Sequence, residues 1–194
     1  MTRILAIRHG PTVWNLEGRL QGRTNVELAP EAADYISALK LPEPFSAARC
    51  FASPLDRTME TARRVGLEPI AEPALIEMGW GDWEGLKLSE VTDLLDPSRR
   101  HFGLHYAAPN GESPRQVQTR LQDFLNQRAA DGTDAVLVTH KGVIRALYAL
   151  AVGWTMETKP PDKLDLTAGQ LFSLDGEGRL DVVRLNLPLD GHPI

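Results

Sequence analysis

The chain has 194 residues and only one cysteine, Cys50, so it cannot carry a disulfide framework or a cysteine-rich zinc site. It also lacks any apolar run near the roughly 18 residues of a membrane span. The start, MTRILAIRHG, is too short in apolar residues for a signal peptide. A cytoplasmic location with no membrane partner is the expectation. There is no basic excess: 21 Lys plus Arg stand against 26 Asp plus Glu, a net charge of −5, which argues against broad nucleic-acid binding. The chain contains no G-x-x-x-x-G-K-[ST] loop, no G-x-G-x-x-G turn and no H-E-x-x-H helix. Nucleotide-hydrolysing, dinucleotide-binding and zincin readings therefore lack their motifs. No tight His/Asp/Glu cluster suggests a metal, and neither a metal nor a cofactor is expected. Internal repeats and low-complexity tracts are absent too.

What is present is ordinary in bulk, with 42% apolar and 24% charged residues. A chain of this length is expected to fold as one domain, here 1–194, with a minor inserted subdomain as the elaboration to expect, and to bury roughly 70% of its unfolded surface. The run Ile4-Leu5-Ala6-Ile7 breaks at Arg8-His9-Gly10-Pro11 and reads as a buried strand entering a loop. Residues 30–40 read as a helix opened by Pro30, 49–52 as a strand and 55–65 as a helix stopped by Gly66. A loop-rich stretch over 68–84 holds a short strand and the cluster EMGWGDWEG. Residues 87–107 suggest two short helices divided by Pro97, and Ser113 is a natural N-cap for a helix running to about 130. A strand over 135–138 and a helix over 142–152 follow, and runs at 170–174 and 180–185 flank Asp175-Gly176-Glu177-Gly178 as a hairpin. Strand–helix alternation implies an α/β fold with a mainly parallel sheet.

Three segments share one grammar, an apolar strand followed by reactive residues and then a helix: IRHG (7–10), SPLDRT (53–58) and VTHKG (138–142). In open α/β sheets ligands bind beyond the carboxyl ends of the strands. If the three strands are parallel neighbours, Arg8, His9, Arg57 and His140 converge on one pocket. Its natural ligand is a phosphate, because the arginine fork matches phosphate oxygens. A lone histidine is more often a satisfied polar group than a catalyst, and His101, His105 and His192 are read that way. Arg57 lies in a first helical turn, where the dipole disfavours a cation, which supports a functional reason for it. A cysteine phosphatase would need five residues between thiolate and arginine, whereas six separate Cys50 from Arg57, and Cys50 lies in a strand. Covalent catalysis by histidine remains.

Arg8-His9-Gly10 with Thr12, Trp14 and Asn15 behind it resembles the signature of the histidine phosphatase superfamily, the phosphoglycerate-mutase-like branch 1. The order continues through Leu20-Gln21-Gly22, Ser53-Pro54-Leu55-Asp56-Arg57-Thr58, Glu77 ahead of Trp83-Glu84-Gly85, Gly111-Glu112-Ser113 and Val138-Thr139-His140 ahead of Gly142-Val143-Ile144-Arg145. The resemblance implies a three-layer α/β/α fold with a small helical insertion near 87–110. It implies His9 as nucleophile, Arg8, Asn15, Arg57 and His140 as holders of the transferring phosphoryl group, and Glu77 as general acid. Gln21, Gly22, Arg23 and Lys141 are candidate rim residues. Glu84 is the competing acid, Glu112 is expected as a first-turn carboxylate of the following helix, and Trp80 and Trp83 either wall the pocket or pack in the core.

The implied activity is metal-independent hydrolysis of small phosphorylated metabolites through phosphohistidine, with inorganic phosphate as product. Two alternatives stay open: a cofactor-dependent phosphoglycerate mutase, and a non-catalytic phospholigand-binding module. The mutases of the family are longer, and only 25 residues separate Gly85 from Gly111 here, which favours the phosphatase. A homodimer is also left open. Four positions depart from the family pattern: Pro11, Asn25, Ala32 and Lys141. Lys141 stands where a small residue usually follows the second histidine, adding a cation near the mouth and an expected preference for substrates with additional negative charge.

Overall fold

A strand as uniformly apolar as Ile4–Ile7 is stable only with both faces covered. In the computed structural model, which describes residues 1–94 and 103–192, it becomes β1 (Thr2–Arg8), and Ile4, Leu5, Ala6 and Ile7 are all essentially inaccessible to solvent. The other strands are β2 (Arg49–Ala52), β3 (Pro69–Ala71), β4 (Ala135–Thr139), β5 (Gly169–Leu174) and β6 (Leu180–Leu187). They form one sheet in the order β3-β2-β4-β1-β5-β6. The pairs β3–β2, β2–β4 and β4–β1 are parallel, while β1–β5 and β5–β6 are antiparallel. The expected hairpin therefore supplies the antiparallel side, with β5 buried beside β1 and β6 at the edge.

Alternate residues of β1 serve opposite layers. Ile4 and Ala6 pack with α5 (Pro114–Asp131) and α6 (Lys141–Val152), through Val117, Leu121, Phe124, Ile144 and Leu147. Leu5 and Ile7 face the other way, toward Met59 and Ala62 of α3 (Asp56–Arg64) and toward Leu41 and Phe45. Two shorter helices precede α3: α1 (Val13–Leu16) and α2 (Ala32–Ser37), with Ile36 of α2 fully buried. This is the expected three-layer α/β/α arrangement. Each fully buried Leu or Ile contributes about 1.5–3 kcal/mol over exposure, so the doubly covered centre carries much of the fold's stabilisation.

Local signals set most helix ends. Ser113 accepts the Gln116 N–H while the Gln116 side chain accepts the Ser113 N–H, a capping box that starts α5, and Gly132 ends it at φ 70. The helix expected over 30–40 is shorter than its pattern: it ends at Ser37, where the Leu39 N–H closes a tight turn on the Ile36 carbonyl, and the Lys40 N–H then bonds the Leu189 carbonyl. Of the two short helices expected over 87–107, α4 (Leu88–Leu94) forms the first. Pro97 and residues 98–102 lie outside the described residues. Residues 103–107 are turn and irregular backbone rather than helix: Gly103 sits at φ 65 and its N–H bonds the Met156 carbonyl. Among the described residues no helix is long and apolar enough to cross a membrane.

The topology also creates a crevice. The chain leaving β1 runs toward the α2/α3 layer, whereas the chain leaving β4 enters α6 on the opposite face. Strands β1 and β4 are parallel neighbours, so their carboxyl ends form a switch point at which the connections diverge.

Candidate active site

The three reactive segments meet at that switch point. Arg8 is in register with Thr139, the His9 N–H donates to the Thr139 carbonyl at 3.0 Å, and the Ser53 N–H donates to the Val138 carbonyl at 3.1 Å. Pairing thus continues one residue beyond β1 and β2, fixing the start of each loop. His9 and His140 lie side by side with ring centroids 5.1 Å apart at 60°. His9 Nδ1 is 2.6 Å from the Gly10 carbonyl oxygen. A carbonyl can only accept, so Nδ1 carries the proton and Nε2 keeps a free lone pair. Both ring nitrogens of His140 lack any partner although the residue is wholly buried. Burial holds both histidines well below the usual imidazole range, and neighbouring Arg8 and Arg57 push the same way, so both are neutral at pH 7.

Arg57 is 1% exposed, far from an ordinary helix-face charge. Its Nη2 donates to the Gly22 carbonyl at 2.7 Å and its Nη1 to the Thr24 carbonyl at 3.0 Å, while Nε is buried and unpartnered. Burial pulls its pKa down to about 10, which still leaves it charged at neutral pH. Arg8 Nε is likewise buried without a partner. Buried donors and lone pairs left unsatisfied in this number call for a ligand, and two cations beside two polar rings call for an anion.

Glu77 faces the same cluster. It is buried, its Oε1 accepts the Met78 N–H at 2.8 Å and its Oε2 accepts the Gly142 N–H at 3.2 Å at the start of α6. Burial raises its pKa above the ordinary carboxylate range, against the opposing pull of those two N–H groups and of Arg57 and Arg8. Glu84 has the opposite environment. Its carboxylate accepts from the N–H groups of Arg23, Thr24 and Trp80 and from the Thr24 hydroxyl, and these bonds hold its pKa below the ordinary range despite partial burial. Seven residues apart, one carboxyl is kept protonatable and the other is an ionised clamp on the 22–24 turn.

A family model described as the histidine phosphatase superfamily (branch 1) matches residues 4–188. The chain belongs to this superfamily. It is similar to "Phosphoglycerate mutase-like protein 4" of Arabidopsis thaliana, 32% identical over 162 residues that cover 76% of this chain and 70% of the relative. It is also similar to "Metal-independent phosphoserine phosphatase" of the same organism, 30% identical over 164 residues covering 76% and 68%. Among solved structures, "Bacillus stearothermophilus YhfR" superposes with a TM-score of 0.79 at 28% identity, over 94% of this chain and 96% of that one.

The remaining residues of this superfamily member separate into those near the cluster and those with other tasks. Asn15 is occupied by its own helix: its Oδ1 accepts the Thr12 N–H in a capping box, and its Nδ2 reaches Gln21 Oε1 at 3.4 Å. Gln21 is buried, accepts the Thr12 hydroxyl at 2.8 Å and leaves its Nε2 unpartnered. Gly22 lends its carbonyl to Arg57, and a Cβ there would lie 1.9 Å from Glu84 Oε1. Arg23 is exposed and pairs with Glu112 at 3.1 Å. Glu112 is not the expected first-turn carboxylate, because it precedes the Ser113 cap and joins Arg120 to Arg23. Trp80 and Trp83 stack on each other at 6.2 Å in a small cluster with Val91 and Ala108. Lys141 is exposed at the first position of α6. His105 and His192 are exposed, and His101 lies outside the described residues.

Sequence reasoning missed Arg120. From α5 it donates to the carbonyls of Ala74 and Ile76, which flank the approach to Glu77, and it pairs with Glu112 at 2.9 Å. Thr139 helps by donating its hydroxyl to the Leu75 carbonyl at 2.8 Å. A single arginine on an amphipathic helix carries no sequence signal for such a task. Among the described residues no group of three or more His, Cys, Asp or Glu is placed to hold a metal.

Proposed function

We propose that the chain is a phosphomonoester hydrolase that works through a phosphohistidine on His9, acting on small phosphorylated metabolites and releasing inorganic phosphate. The observation that carries this reading is the neutral, buried His9 with Nδ1 committed to the Gly10 carbonyl and Nε2 free, beside the two unpartnered ring nitrogens of His140 and the unpartnered Nε atoms of Arg8 and Arg57. In the first step the Nε2 lone pair forms a bond to phosphorus as the ester P–O bond breaks, and Glu77 gives its proton to the departing oxygen. In the second step the Glu77 carboxylate takes a proton from water as the water oxygen bonds to phosphorus and the P–Nε2 bond breaks, releasing inorganic phosphate and restoring neutral His9. Splitting the displacement in two lowers each barrier. Arg8, Arg57 and His140 offer fixed donors to the equatorial oxygens, and preorganised charge of this kind supplies most of the rate in phosphoryl transfer. Asn15 Nδ2, held by one long bond, and Gln21 Nε2 complete the phosphate cradle.

The proposed machinery needs no metal, because the charges of Arg8 and Arg57 can neutralise the oxygens of a transferring phosphoryl group. A panel of phosphomonoesters assayed in EDTA, with 3-phosphoglycerate plus 2,3-bisphosphoglycerate included, tests it. Phosphate release that survives EDTA is expected. Isomerisation without net hydrolysis would make the chain a mutase, and neither activity would leave a phospholigand-binding module.

Gly142 provides a second check. A Cβ there would lie 2.4 Å from Glu77 Oε1. Alanine ordinarily strengthens a helix by about 1 kcal/mol over glycine, but at this position it must displace the carboxyl. Gly142→Ala is expected to lower kcat about 100-fold, the scale of a 1 Å misplacement, while Tm changes little. An undiminished kcat would show that Glu77 need not sit against α6.

A further inference from the structure

Lys141 opens α6 directly after His140, with its side chain exposed. Its two chain neighbours belong to the cluster, His140 with its ring beside His9 and Gly142 with its N–H on Glu77 Oε2 at 3.2 Å, and Arg145 lies one turn further along the helix. Arg145 is half-buried, with its guanidinium 5.0 Å from the centre of the Trp154 ring. Neither cation forms an ion pair among the described residues, although nine other ion pairs are present. Like charges at i and i+4 repel, and the first turn of a helix favours acids, yet α6 has none there. Lys141 therefore stands beside the site as a cation with no ion-pair partner among the described residues, and an anion at the mouth supplies one. The site for the transferring phosphate lies deeper, among the buried atoms of Arg8, Arg57 and the two histidines, so this second anion belongs to the solvent-facing end of a bound substrate.

We propose that Lys141, backed by Arg145, is a specificity-determining residue that holds a second anionic group, so that the site selects phosphomonoesters bearing a further acid group. The proposal rests on the phosphatase reading for the position of the first phosphate. Lysine suits the task because a compact charge on a flexible stem accepts either a carboxylate or a phosphate.

The test uses two matched pairs: glycerol 3-phosphate against 3-phosphoglycerate for a carboxylate, and fructose 6-phosphate against fructose 1,6-bisphosphate for a phosphate. For each pair the ratio of kcat/KM is measured, and affinities are measured by calorimetry on His9→Ala protein, where turnover is not needed. The acid-bearing member of at least one pair is expected to be favoured by about five- to tenfold, the scale of one or two partly solvated charge contacts. Lys141→Gln should bring that ratio close to one, chiefly through KM, and Lys141→Arg should retain it. Whichever pair responds names the second group. A ratio that is already one, or that Lys141→Gln leaves unchanged because both members lose equally, overturns the proposal. Discrimination in binding that Lys141→Gln abolishes, with no turnover of any substrate, supports the proposal and removes the phosphatase reading instead.

Discussion

Replacing His9 with alanine is expected to lower phosphate release by at least about four orders of magnitude, the scale on which removing a covalent nucleophile acts. The buried arginines remain, so ligand binding should survive the loss of turnover. Rapid quenching under alkaline conditions, with intact-mass measurement, is expected to find one phosphoryl group on the parent and none on the variant. A phosphorylated His9→Ala protein would place the covalent step elsewhere, with His140 the first alternative. The same variant tests the electrostatic account through stability. Because the folded His9 has a depressed pKa, the unfolded chain takes up a proton that the folded chain refuses as pH falls below about 6.5. His9 therefore contributes a loss of stability on acidification, beginning near the unfolded pKa and continuing toward the folded one. In His9→Ala the slope of unfolding free energy against pH in that window should be shallower by one proton, and His140 should account for a second.

The second large effect concerns the acid. Glu77→Gln is expected to reduce kcat by about 100- to 10,000-fold for alkyl phosphates, whose leaving oxygen needs a proton. An aryl phosphate with an acidic phenol should lose much less in the first step. On the proposed mechanism the parent needs protonated Glu77, so its activity should decline as pH rises through a pKa lying above the ordinary carboxylate value of 4.5. On the acidic side it should decline only below the usual histidine range, because His9 must be neutral to attack. Glu77→Gln should erase the alkaline limb and keep the acidic one. Glu84→Gln is the informative control. With its low pKa and four hydrogen bonds, Glu84 should affect KM and the order of the 22–24 turn while leaving the alkaline limb in place. If the limb vanished in Glu84→Gln and persisted in Glu77→Gln, the two roles would have to be exchanged.

Much of this site is legible in the sequence because its principal side chains follow local structural signals. Arg8-His9 and His140 each stand where an apolar strand stops, and a strand end is visible from neighbouring residues alone. Arg57 follows Ser53-Pro54 into the first turn of a helix, again a local feature. The strand pattern, the Ser113 cap and the terminal hairpin are readable for the same reason: periodicity and capping act over a few residues.

Other features required the folded chain. Glu77 and Glu84 are both carboxylates in one loop, and nothing in their neighbouring residues separates an acid from a clamp. Their difference arises from burial and from which N–H groups converge on each oxygen, and those donors come from Gly142 in one case and from Arg23, Thr24 and Trp80 in the other. Glu112 looks like a helix-start carboxylate until Arg120 and Arg23 are placed beside it. Arg120 itself is invisible as a positioning residue before the Ala74 and Ile76 carbonyls arrive in front of it. The sequence by itself determined the strands, their order of reactive ends and the family. Only the tertiary structure decided the environment of each ionisable group, because pKa and hydrogen-bond satisfaction depend on neighbours brought together from distant parts of the chain.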